Sequence, residues 1–103
     1  MEPDELSSLI ARDEAPLIVD VRSTAEFETG HVPAALHIPF WQMMRRWREL
    51  SHHRRSPIVL YCGHGPRAHI AGAVLKRAGF TRVEYLKGHM KKWRDLNLPL
   101  EVD

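Results

Sequence analysis

Ile58-Val-Leu-Tyr61 is an uninterrupted apolar run that feeds straight into Cys62-Gly-His-Gly-Pro-Arg67 and then into a segment, Ala68 to Gly79, with apolar residues at helical spacing. A short strand opening through a glycine-rich loop into a helix restricts the chain to α/β arrangements. In the helix, Ala71, Val74, Leu75 and Ala78 share one face, Lys76 and Arg77 fall in the last turn, and Gly79 stops it. At the mouth of such a helix unpaired N–H groups converge and the dipole is positive, so the loop is suited to an anion. The only cysteine stands there. A lone cysteine is commonly a small buried hydrophobe. Its place between a strand and a glycine-rich loop points instead to a thiolate nucleophile.

The rest of the chain supplies the partners of that unit. Pro3 with Asp4, Glu5, Leu6, Leu9 and Ile10 predicts a short helix over about residues 3–12. Leu17-Ile-Val19, with Asp20 and Val21, reads as a strand covered on both faces. Ser23 or Thr24 caps a short helix through Phe27 that stops at Gly30. Leu36-His-Ile38 is a brief strand ended by Pro39, and Phe40, Met43, Met44, Trp47 and Leu50 draw one apolar helical stripe. Val83–Leu86 is a further strand, and a last helix runs from Gly88 to about Leu96 before Pro99. Strands alternating with helices imply right-handed crossovers and a parallel sheet, whose carboxyl ends deliver Asp20, Arg22, Cys62 and Gly88 to one edge.

Composition excludes several classes. A length of 103 residues allows one domain, 1–103, with one modest core. A net charge of +2 is too mild to imply nucleic acid, and one cysteine excludes an internal disulfide or an all-cysteine metal cage. No apolar run approaches the ~20 residues of a membrane span, and the acidic start is unlike a signal peptide. A soluble protein of the reducing cytoplasm is the expectation. None of the seven histidines has firm ligand spacing, so no metal is expected. The basic run from Arg45 to Arg55 reads as a solvated face, with nucleic acid or anionic lipid, or steering of small anions and docking of an acidic partner, as the functional alternatives.

The motifs taken together resemble the rhodanese family of sulfurtransferases in its single-domain form. Asp20-Val-Arg22, Glu26-Phe27 and Gly30-His-Val-Pro-Ala-Ala35 resemble its first signature, DVR…EF…GHIPGA. Tyr61-Cys-Gly-His-Gly-Pro-Arg67 resembles the active loop, and Leu86-Lys-Gly88, Trp93 and Leu98-Pro99 resemble the closing GG…W…GLP. The resemblance implies an α/β fold with a parallel sheet of about five short strands and helices on both faces. It also implies that Cys62 takes sulfane sulfur from thiosulfate or a similar anionic donor, holds it as a persulfide, and passes it to cyanide, a thiol or a protein acceptor. No cofactor is needed. Having no second cysteine, the chain must discharge its sulfur to an external acceptor.

Within this reading Gly63, His64, Gly65, Pro66, Arg67 and Ala68 form the substrate loop, with Arg67 as its fixed cation. Asp20, Arg22, His31 and Gly88 support it, the first three as hydrogen-bonding braces as much as functional groups. Trp93 is a core filler. The C-x4-R spacing is one residue shorter than the C-x5-R loop of related phosphatases, which argues against phosphatase or arsenate reductase chemistry. The rival from another class is a rhodanese-like binding module whose loop recognises a partner without turnover. Departures from the family pattern are Gly63 where many members have arginine, Ala68 for a serine or threonine, Ala35 for a glycine, and His89 for the second closing glycine.

Overall fold

A computed structural model describes all 103 residues. Pro3 opens α1 (Pro3–Ala11), with Asp4 and Glu5 in the first turn, where their charge meets the positive helix end. β1 (Leu17–Asp20) follows, then α2 (Thr24–Glu28). Ser23 starts α2 through a complete capping box: its hydroxyl accepts the Glu26 N–H while the Glu26 carboxylate accepts the Ser23 N–H. β2 is only Leu36–His37. β3 (Ile58–Tyr61), α4 (Pro66–Arg77), β4 (Val83–Tyr85) and α5 (His89–Asp95) complete the chain.

The four strands are all parallel, in the order β2-β1-β3-β4. The expected count of about five is therefore one too high. The only other β contact is a single antiparallel bridge between His31 and Glu101, because the remaining chain is committed to helices and turns.

Alternation along the two central strands explains why both are apolar throughout. Val19, Ile58 and Leu60 pack on one face with Ile38, Met43, Leu50, Ala68, Ala71, Leu75 and Phe80. Ile18, Val59 and Tyr61 pack on the other with Leu6, Val32, Leu86, Met90 and Trp93. α4 thus covers one face while α1 and α5 cover the other, the arrangement parallel strands need. Trp93 is fully buried and donates its indole N–H to the Pro99 carbonyl at 2.8 Å, so it fills the core as expected.

The apolar stripe after Pro39 does not form one helix. It breaks into a 3-10 turn (Phe40–Gln42), a single α-turn named α3 (Met43–Arg46) and a longer 3-10 run (Trp47–His53). Tightened turns bring roughly every third residue to the same side. Met43 and Leu50 therefore enter the core and Phe40 and Trp47 pack against it, while Met44 swings out and is 72% exposed. Arg48 and Arg54 lie over the Trp47 ring, 5.0 and 5.2 Å from its centroid. Part of the basic run is thereby occupied in covering an aromatic surface.

Candidate active site

Period two along β3 continues one residue past the strand. Cys62 falls on the same face as Ile58 and Leu60, with its sulfur aimed beneath the first turn of α4. Gly65 then takes φ +136°, a conformation that a Cβ would disfavour, and Pro66 follows as the first helical residue. That reversal brings the Gly65 N–H back to Cys62 Sγ at 3.0 Å, and the nearby amides of Ala68 and His64 also favour the ionised sulfur.

The loop's carbonyls are drawn the opposite way. Met90 N–H donates to the Cys62 carbonyl at 3.0 Å and Lys91 N–H to the Gly63 carbonyl at 3.1 Å. Tying these carbonyls to α5 leaves the neighbouring amides facing inward. Cys62 is 1% exposed, and burial by itself pushes its thiol pKa up. The His89 imidazole and the amides of Ala68, Gly65 and His64 outweigh that and bring it down to about 7. A thiol poised there is about half ionised in neutral solution. The rate of alkylation by iodoacetamide is thus expected to rise with pH through a midpoint near 7. A midpoint at the ordinary thiol value of about 8.5 would mean that the amides do not reach the sulfur.

Arg67 does not stand free. Its guanidinium grips the Glu26 carboxylate with two bonds, Nη1 to Oε1 at 2.6 Å and Nη2 to Oε2 at 2.9 Å, while also lying close enough to Cys62 to favour its ionised form. The pair with Arg67, helped by the Ser23 cap, holds the Glu26 carboxyl down at about 2. A Cβ on Gly63 would sit 3.1 Å from Arg67 Nη2. The absence of a side chain there leaves room for the guanidinium.

The supporting residues lie behind the loop. Asp20 is fully buried and Arg22 is 3% exposed. The Arg22 side chain donates to both Asp20 oxygens, with Nη2 to Oδ2 at 2.7 Å, and its backbone N–H donates to Oδ1 at 2.9 Å. Arg22 Nη2 also reaches the Gly30 carbonyl at 2.9 Å. This ties the end of β1 to the turn that carries His31. The His31 ring stacks on Phe27 at 3.8 Å, and Phe27 in turn meets His37 at 4.5 Å. His31 Nδ1 faces the Val32 carbonyl and Nε2 faces Asp103, so the residue is a brace. Its gathering with Glu101 and Asp103 within 4.8 Å was not visible from histidine spacing. Gly88, with φ +76°, turns the chain into α5, while His64 and Pro66 are exposed on the loop's outer side.

A shallow cleft of about 280 Å³ opens beside the loop, lined by Arg22, Glu26, Gly63, His64, Lys91 and Arg94 with Met90. Its charged groups are cationic except for Glu26. Glu26 and His89, with Lys91 and Arg94 on the cleft, are site residues that sequence reasoning gave no role. Glu26 was signalled locally by Ser23-x-x-Glu26, a capping-box pattern. The His89 contact spans 27 residues and had no local signal.

Comparison with known proteins places the chain in a family. A family model for the rhodanese-like domain matches residues 2–96. A sulfurtransferase of Allochromatium vinosum is 34% identical over 100 residues, spanning 97% of this chain and 92% of that protein. A tRNA uridine(34) hydroxylase of Escherichia coli is 32% identical over 108 residues, and the match covers 97% of this chain but 31% of the hydroxylase. Among solved structures, a rhodanese-related protein of Thermoplasma volcanium aligns with a TM-score of 0.83 over 100% of this chain and 97% of its own, at 23% identity. That last likeness concerns the fold alone. With a parallel α/β sheet, a cysteine loop at its carboxyl edge, and a family match that runs almost from end to end, the chain belongs to the rhodanese-like domain family.

Proposed function

We propose that the protein is a sulfurtransferase in which Cys62 carries sulfane sulfur from a small anionic donor, thiosulfate or a relative of it, to cyanide or a thiol. The Cys62 thiolate attacks the outer sulfur of thiosulfate. A new S–S bond forms as the old one breaks, and sulfite leaves with the electron pair. The acceptor's thiolate, or cyanide, then attacks the outer sulfur of the persulfide, and Cys62 returns as thiolate. No net oxidation and no cofactor enter. Donor, persulfide and leaving group are all anionic, so fixed N–H donors and a cation favour every stage.

The observation that carries this reading is the Gly65 N–H bonded to Sγ at 3.0 Å within a C-x4-R loop, with the Ala68 and His64 amides near enough to favour the thiolate. Lys91 and Arg94, on the rim of the cleft beside it, suit the approach of an anion. The test is sulfite release from thiosulfate with cyanide as acceptor, run beside hydrolysis of a chromogenic aryl phosphate. Sulfite release without phosphate release is the expected result. Phosphate release alone would turn the assignment to phosphatase chemistry.

Arg67→Ala is expected to lower kcat/KM for anionic donors by about ten-fold or more, since a charge facing the anion is lost. Its melting temperature should change little, because a part-exposed ion pair contributes only about 1 kcal/mol or less. Unchanged donor kinetics in that variant would leave Arg67 as a structural partner of Glu26. A second reading, a binding module without turnover, draws on the engagement of Arg67 by Glu26 and on the burial of the thiol. It predicts an intact, unmodified Cys62 with every donor.

A further inference from the structure

β3 runs one residue longer than its neighbour can follow. Leu86 N–H still donates to the Leu60 carbonyl, but β4 has ended at Tyr85 and the chain turns away through Lys87 and Gly88. The next amide along that edge, that of Cys62 just past β3, meets no strand carbonyl. It donates instead to His89 Nδ1 at 3.2 Å, inside the protein. Since a backbone N–H can only donate, Nδ1 is the acceptor, and in the neutral ring the proton sits on Nε2. The Nε2 edge lies against the other limb of the loop, 3.6 Å from where a Cβ on Gly65 would stand. Gly65 is the residue whose own N–H reaches the sulfur.

The backbone at His89 is left-handed, with φ +53°, directly after Gly88 at +76°. Glycine adopts this conformation freely, while a residue with a Cβ does so at a cost. The ring is nonetheless present and 93% buried, being 7% exposed. A side chain retained against its backbone preference, and spent on the nucleophile's own amide, has a role that a glycine could not fill.

We propose that His89 is a positioning residue for Cys62, its ring accepting the orphaned Cys62 N–H and bracing Gly65 so that the loop amides stay on the sulfur. The inference rests on the sulfur-transfer reading of this loop. It extends that reading by assigning the loop's geometry to a side chain from the start of α5. The nearness of the His89 ring to the thiol acts in the same direction, favouring the thiolate. The other charged or titratable groups around the pair are His64 and Arg67 of the loop with Glu26 of α2 behind Arg67. They also include His69 of α4, whose ring is 6.5 Å from His89, Tyr85 of β4 beyond it, and Lys91 and Lys92 of α5.

The experiment compares wild type, His89→Gly and His89→Asn by iodoacetamide alkylation and ultraviolet thiolate absorbance across pH. His89→Gly removes the acceptor and also relieves the left-handed backbone. The alkylation midpoint should therefore rise by about one pH unit, with a roughly five-fold slower rate at neutral pH, while the melting temperature does not fall in proportion. Asparagine tolerates left-handed backbone and places a carbonyl oxygen where Nδ1 stood, so His89→Asn should recover most of the loss. A glycine variant with the wild-type midpoint, or an asparagine variant as impaired as the glycine one, would overturn the assignment. Imidazole ¹⁵N shifts of the unaltered protein give a check independent of folding: Nδ1 should be the unprotonated nitrogen and should respond when Cys62 ionises, and a protonated Nδ1 would contradict the proposal. None of these measurements uses a sulfur donor. A wild-type protein that takes up no sulfur would therefore sink the sulfurtransferase reading while the titration still decides the role of His89.

Discussion

Cys62→Ser is expected to abolish sulfur transfer, with a fall of at least about a thousand-fold in turnover. A serine oxygen is a poor nucleophile toward sulfane sulfur and cannot store it, and the chain holds no second cysteine to take over. The loss would not be one of folding. Serine is nearly the size of cysteine, and its hydroxyl can accept the Gly65 N–H that now reaches Sγ at 3.0 Å. The cost of burying that hydroxyl, at a position 1% exposed, is about 1–2 kcal/mol and is read directly from a thermal melt. Residual transfer near the wild-type rate would mean that sulfur is carried elsewhere.

The second large effect is on stability. Asp20→Ala should cost about 3–5 kcal/mol, because it leaves the guanidinium of Arg22, 3% exposed, without its carboxylate. For a domain of this size that corresponds to a fall in melting temperature of roughly 15–30 °C. Arg22→Leu strands the Asp20 carboxylate instead and should be comparably harmful. The double variant should be milder than the sum, since each single change leaves an unpaired buried charge that the double change removes. Urea unfolding of the three variants measures the coupling. Additive costs would show that the pair does not act as one unit across the ends of β1 and the Gly30 turn.

The two central strands and the cysteine loop were legible because their signals are local. Ile58–Tyr61 is apolar at every position, and only a strand covered on both faces uses such a run. The helix expected from Ala68 begins two residues earlier, at Pro66, because proline fits the first helical turn. The apolar stripe from Phe40 to Leu50 misled in one particular. Helical spacing does not distinguish an α-turn from the 3-10 turns that bound it, and the difference moved Met44 from the core to solvent. The role of Arg67 was half legible. Its position after the cysteine marked it as a loop cation, but its partner Glu26 lies 41 residues away and entered only through the fold. His89 is the extreme case: the sequence marked it only as a departure from a glycine, and its partner appears once β4 stops short and leaves an amide for it to accept.

The basic segment shows the same limit. Arg48 and Arg54 flank the Trp47 ring, and Arg46 pairs with Glu49, so these charges are partly spent on the protein's own surface. Charge counting along the sequence treats them all as available to a partner. Packing decides otherwise for three of them.

Sulfur transfer at Cys62 requires that inward-facing amides hold an anionic sulfur there. Intact-mass measurement of the wild-type protein after exposure to thiosulfate and other sulfane donors tests this most directly. The expected result is a gain of one sulfur atom, absent from Cys62→Ser and removed by cyanide or dithiothreitol. A wild-type mass that stays unchanged with every donor, while the thiol still alkylates with a midpoint near 7, would contradict it.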